Sequence, residues 1–129
     1  MVLTAPSIDF EEKLRLAREI GLRARDRRRK YDEEASFPEE NFAEIRAAGL
    51  HTMGVPVEYG GLGLWQRDSF VPFYRILEAL AEGDSSTSQL VQIQTHASGI
   101  IAALGSPEQK AYYMAKVVNE GALVASVGS

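Results

Sequence analysis

Apolar residues recur at intervals of three and four along most of the chain, the spacing of amphipathic helices rather than of strands. Asp9 followed by Glu12 predicts an N-cap with a reciprocating carboxylate. Phe10, Leu14, Ala17, Gly21 and Ala24 then mark one face of a long first helix ending near Ala35. A second helix is predicted from Ser36-Phe37-Pro38-Glu39, with Phe42, Ile45 and Ala48 buried and Gly49 as its stop. From Leu50 to Gln66 the rhythm breaks, and Pro56, Gly60, Gly61 and Gly63 predict a loop with room for a short extended stretch. Helical spacing returns over 68–82 through Phe70, Phe73, Tyr74, Leu77, Leu80 and Ala81. It continues in a fourth helix, capped by Asp84 or Ser85, with the apolar row Leu90, Ile93, Ala97, Ile101 and Leu104. Ser106-Pro107-Glu108-Gln109 opens a fifth, with Ala111, Met114, Ala115 and Val118 facing inward. After Gly121 the texture turns β-like. The pattern predicts an all-α fold, a bundle-like domain of five helices with a strand-like C-terminal tail.

Length and composition fit this picture. With 129 residues, 45% of them apolar types and 25% charged, the chain has the balance of one globular domain. The absence of cysteine excludes disulfides, thiolate metal sites and thiol catalysis. A net charge of −4 gives no bulk attraction to nucleic acid or an anionic membrane. The longest strictly apolar run, Ile100 to Leu104, is too short for a membrane span, and the first residues lack a secretory pattern, so a cytosolic location is expected.

Few stretches suggest chemistry. Arg23 to Lys30 holds six basic residues in eight, but they surround the helix. Opposite charges four apart (Glu19 with Arg23, Asp26 with Lys30, Arg28 with Asp32, Lys30 with Glu34) predict a solvated helix. Gly60-Gly61-Leu62-Gly63 lacks the lysine and hydroxyl of a phosphate loop and reads as a tight turn. Two histidines and no cysteine leave no metal site; His51 reads as loop. The informative element is the fourth helix. Opposite its apolar row runs a polar and small one, Ser85, Gln89, Gln92, His96, Gly99 and Ala103, which predicts a face toward solvent or a cavity. Histidine is suited to proton transfer near neutrality, although His96 also reads as an ordinary surface residue.

These pieces, in order, resemble one family. Phe37-Pro38-Glu39, Ala48-Gly49-Leu50, Val55-Pro56-Val57-Glu58-Tyr59-Gly60-Gly61-Leu62-Gly63, Leu80-Ala81-Glu82-Gly83-Asp84-Ser85-Ser86, His96 and Gly105-Ser106-Pro107-Glu108-Gln109-Lys110 look like the N-terminal domain of the acyl-CoA dehydrogenases. The resemblance implies residues 1–121 as that helical domain and 122–129 as the start of a middle β-domain, in an N-terminal fragment of an oligomeric, FAD-dependent oxidoreductase. It implies acyl-CoA as substrate, with the carboxylate base outside this chain and hence no catalytic residue within it. The domain would wall one side of the acyl pocket through the fourth helix, with Gln92, His96 and Gly99 facing substrate. Ser126, Gly128 and Ser129 match the flavin-contacting segment. Ser129 would be its hydroxyl, and the pattern departs at Ser126, which is not aromatic, and at the small Gly128. The chain alone is expected neither to retain FAD nor to oxidise an acyl-CoA. A sister branch of flavin-dependent monooxygenases often places a histidine on the same helix, which His96 also fits. A stand-alone helical interaction module is the third reading.

Overall fold

A computed structural model describes residues 9–127, and they form five α-helices, the second and third of which are joined by a long connection over 48–69. The first, α1 (Phe10–Glu34), starts at Asp9, whose carboxylate accepts the Glu12 N–H. Glu12 does not reciprocate as predicted, because its carboxylate is taken by the Arg15 guanidinium one turn on. Helix α2 (Glu39–Ala47) starts behind Pro38 and is closed by Gly49 in the left-handed region. Helices α3 (Phe70–Ala81) and α4 (Ser85–Leu104) are separated by one tight turn, with the Asp84 side chain accepting the Thr87 N–H at the start of α4. Helix α5 (Pro107–Glu120) carries the predicted reciprocal cap between Ser106 and Gln109.

Helix α1 lies along α3, and α3 along α4. The α1–α3 approach is close. A Cβ added to Gly83 would sit 1.7 Å from the Gly21 carbonyl oxygen, and one added to Gly21 would sit 2.6 Å from that of Ala79. Between these helices and α2 the main core gathers Leu14, Ile20, Phe42, Ile45, Leu50, Met53, Phe73, Ile76, Leu80 and Val91. A smaller core of Val55, Met114 and Val117 seats α5, whose inner face is therefore Met114 and Val117; Ala111 and Ala115, predicted inward, are exposed.

The 50–66 segment forms two single 3-10 turns, Leu50–Thr52 and Val57–Tyr59, with no extended stretch paired, and a third, Arg67–Ser69, leads into α3. Its glycine run turns back on itself: Gly60 donates to Val57, Gly61 to Pro56, Leu62 to Thr52 and Gly63 to Val55. With these four N–H groups committed inside the loop, none is left to cradle an anion, as the tight-turn reading requires.

The basic stretch of α1 pairs differently from the sequence expectation. Arg23 and Arg27 reach across to Glu44 on α2, and Lys30 to Glu40, while Glu19 is held by Arg15. Neighbouring helices offer carboxylates that i,i+4 bookkeeping along one helix does not see.

The tail after α5 forms no strand among the described residues, in contrast to the strand-like expectation. Side chains from other elements pair its backbone instead. Arg46 Nε donates to the Gly121 carbonyl at 2.9 Å. The Gln94 carboxamide donates to Ala122 O at 3.2 Å and accepts the Val124 N–H. One side-chain amide thus substitutes for the neighbouring strand a ladder would need.

Candidate functional site in the α4 face

Which way α4 faces decides what it can do. The row Leu90, Ile93, Ala97, Ile101 and Leu104 does not form its buried side: only Ala97 is fully buried, and Leu104 is 82% exposed. The buried side is Thr87, Ser88, Val91, Gln94, Thr95, Ala97, Ser98 and Gly99. Polar residues are tolerated there because each finds a partner. Ser88 donates to Leu77 O, Thr95 to Val91 O and Ser98 to Gln94 O. Thr87 links the Asn41 amide to the Asp84 carboxylate. Their short side chains let α4 sit close to the core without polar groups left orphaned.

The opposite row behaves as predicted in all but one residue. Ser85, Gln89, Gln92, His96 and Ala103 are exposed, whereas Gly99 is buried. Gly99 is covered by Trp65, from the end of the glycine-rich loop: a Cβ added at Gly99 would lie 2.0 Å from the indole Cδ1. Trp65 is held from several sides. Its ring meets Phe70 and Phe73 edge-on, with centroids 5.2 and 5.7 Å away, and lies against the His96 imidazole at 5.2 Å. Edge-on aromatic contacts of this kind fix orientation beyond simple area burial.

Two hollows flank this aromatic wall. A groove of about 550 Å³ between α3 and α4 is lined by Phe70, Val71, Tyr74 and Leu77 on one side and Ser88 and Gln92 on the other. A cleft of about 200 Å³ lies beyond Trp65, among Gly54, Pro56, Gly63, Gly99, Ala102 and Ala103. Gln92 and His96 thus share one exposed surface, and Gly99 serves it indirectly by admitting the indole. A larger hollow, about 810 Å³ where Tyr31 and Phe37 face Asp84 and Leu90, contains none of the predicted site residues. Arg28 and Asp32 give it charges of both signs.

Ser126 is exposed just beyond the segment tied down by Gln94. Gly128 and Ser129 lie outside the described residues. Among the described residues no three His, Cys, Asp or Glu side chains cluster in a way that could hold a metal ion, and no helix is long and apolar enough to cross a membrane.

His51 lies in the connecting segment after α2, as predicted, but it is buried there. It is 6% exposed, and its Nε2–H donates to the Val117 carbonyl, one of the last-turn acceptors of α5 that the helix cannot satisfy itself. Burial, reinforced by the nearby Arg46 charge, holds it below the usual histidine range, against the bond to Val117. Trp65, Gln94 and His51 are the residues that sequence reading missed. The chain's lone tryptophan at the edge of a glycine-rich loop was the available signal for the first.

Residues 15–121 match the family described as acyl-CoA dehydrogenase, N-terminal domain. The chain is 31% identical over 90 residues to the mitochondrial isobutyryl-CoA dehydrogenase of Dictyostelium discoideum, covering 70% of this chain and 21% of that protein. It is 34% identical over 92 residues to the probable acyl-CoA dehydrogenase fadE25 of Mycobacterium leprae, covering 71% and 23%. The chain spans about a fifth of the length of these relatives. No solved structure matches it.

Proposed function

Because this chain belongs to the acyl-CoA dehydrogenase family through its N-terminal domain, we propose that it walls one side of an acyl-thioester and flavin pocket in an FAD-dependent oxidoreductase. The observation that carries this reading is the α4 face. Gln92 and His96 are turned outward beside an aromatic wall, while α4 buries serines and threonines to allow it. In this reading Gln92 orients a polar part of the substrate by hydrogen bonding, and Trp65, Phe70 and Tyr74 exclude water from an apolar acyl group. The proposed division of the chain is a helical unit over 1–121 and a segment over 122–129 leading into a second domain. An oligomer and acyl-CoA as the small-molecule partner follow from the same reading.

FAD, when bound, supplies the capacity to accept a hydride from the acyl chain. The residues here fit one wall of such a site and not a whole one. Ser126 offers an exposed hydroxyl at the end of a tail tied to α4. The hollow beside that tail, about 140 Å³ among Phe37, Leu90, Ile93 and Val124, is too small to enclose an isoalloxazine ring. The remaining contacts would come from outside this chain, as would the base.

A second reading, a flavin-dependent monooxygenase, draws on the exposed imidazole of His96 supported by Trp65. A histidine so placed could donate a proton to an oxygenated substrate site. Acyl-CoA-dependent bleaching of the flavin in the assembled flavoprotein, lost or weakened in Gln92→Ala, supports the dehydrogenase. Oxygen consumption by the reduced flavin, abolished by His96→Ala without any acyl-CoA bleaching, replaces it with the monooxygenase.

A further inference from the structure

We propose that Trp65 is the specificity-determining residue of this pocket: as a plug over Gly99, it divides the trough along α4 and confines the acyl group to a short one. The inference rests on the reading of the α4 face as the acyl wall.

Different surroundings lie on the two sides of the indole. On one side are His96 and, one turn back, Gln92 with the α3–α4 groove. On the other, the cleft is lined by the small residues Gly54, Gly63, Gly99, Ala102 and Ala103 together with Pro56 and Gln66, and Trp65 is the aromatic side chain in its wall. A chain of methylenes running along α4 past His96 therefore meets the indole. Nor can the ring easily step aside. Phe70 and Phe73 hold it edge-on, and Gly99 provides the space that seats it. Residue 65 comes from a loop and residue 99 from a helix, so the plug is set by two positions that must match in size: a large ring requires the missing Cβ.

The two positions give independent variants. Trp65→Leu and Trp65→Ala shorten the plug, while Gly99→Ala displaces the ring and leaves it present. Chemical-shift titrations of the assembled flavoprotein, isotope-labelled at its glutamine and histidine residues, with butyryl-CoA and octanoyl-CoA read both site and preference. The wild-type chain is expected to favour butyryl-CoA, with shifts at Gln92 and His96. The folded Trp65 variants and Gly99→Ala should move the ratio of dissociation constants toward octanoyl-CoA by on the order of tenfold, the gain from burying about two further methylenes. Binding at Gln92 and His96 with an unchanged ratio in folded Trp65→Leu overturns the plug and leaves the pocket standing. Shifts absent from Gln92 and His96 with either thioester overturn the pocket itself, and the plug with it. Trp65→Phe should keep most of the wild-type preference, since a smaller ring still fills the gap.

Discussion

His51 donates its only hydrogen to an α5 carbonyl and leaves Nδ1 buried without a partner. A second proton would have to sit on that nitrogen, in a buried site with the Arg46 cation nearby. The folded state therefore resists protonation more than the unfolded chain, whose histidines titrate near pH 6.5. The sign follows: the unfolded state binds more protons as pH falls below about 6.5, so stability is full above that value and declines toward the lower folded-state value. Urea unfolding followed by Trp65 fluorescence should show this decline between about pH 7 and about pH 5. His51→Gln should flatten it, while costing about 1 to 3 kcal/mol at neutral pH if the amide fails to reach Val117. A wild-type profile as flat as the variant's would remove His51 from this role. None of this was legible in the sequence, because a histidine after a helix stop looks like loop until α5 folds over it.

At the scale of elements, helix positions and caps were readable because they depend on local chemistry. Asp9, Asp84, Ser106 with Gln109, and Gly49 act where their types predict. The rotation of α4 was not readable. Its apolar row and its Ser/Thr-rich row are both plausible inner faces by period, and hydrogen bonds to Leu77, Asn41 and the helix's own carbonyls decide between them. Close helix approach also depends on partners distant in sequence. Gly83→Ala should push α3 from α1 and destabilise the fold by about 1 to 3 kcal/mol, measurable by thermal or urea unfolding. An unchanged midpoint would mean the Gly21 backbone moves freely. Gln94→Glu replaces the donor to Ala122 and His51 with an oxygen facing two carbonyls. Amide exchange at Val124 should then accelerate on the order of tenfold, the effect of losing about 1.4 kcal/mol of local protection, while α1 amides stay protected. Uniform acceleration across the chain would instead indicate global destabilisation.

Across the whole molecule, the exposed apolar residues are the feature that a lone helical domain does not need. Val71 and Tyr74 on α3, and Ile93, Ile100 and Leu104 on α4, are exposed. Surfaces of this kind ordinarily meet another surface. Sedimentation of the 129-residue chain alone should show mass rising with concentration, and Leu104→Glu with Val71→Glu should suppress the rise; a monomer at all concentrations would count against it. The site was partly legible at this scale. The polar row of α4 made the exposure of Gln92 and His96 readable, but a glycine on an apparently open face gives no hint of the indole that covers Gly99.

The central claim, that this face of α4 walls the acyl site, is tested most directly by photoaffinity labelling with an acyl-CoA carrying a diazirine in its acyl chain, followed by peptide mapping. Adducts are expected on α4 around Gln92 and His96 and on the facing residues Trp65 and Tyr74, competed by unlabelled butyryl-CoA. Competed adducts confined to α1, α2 or the hollow beside Tyr31 and Phe37 would contradict it.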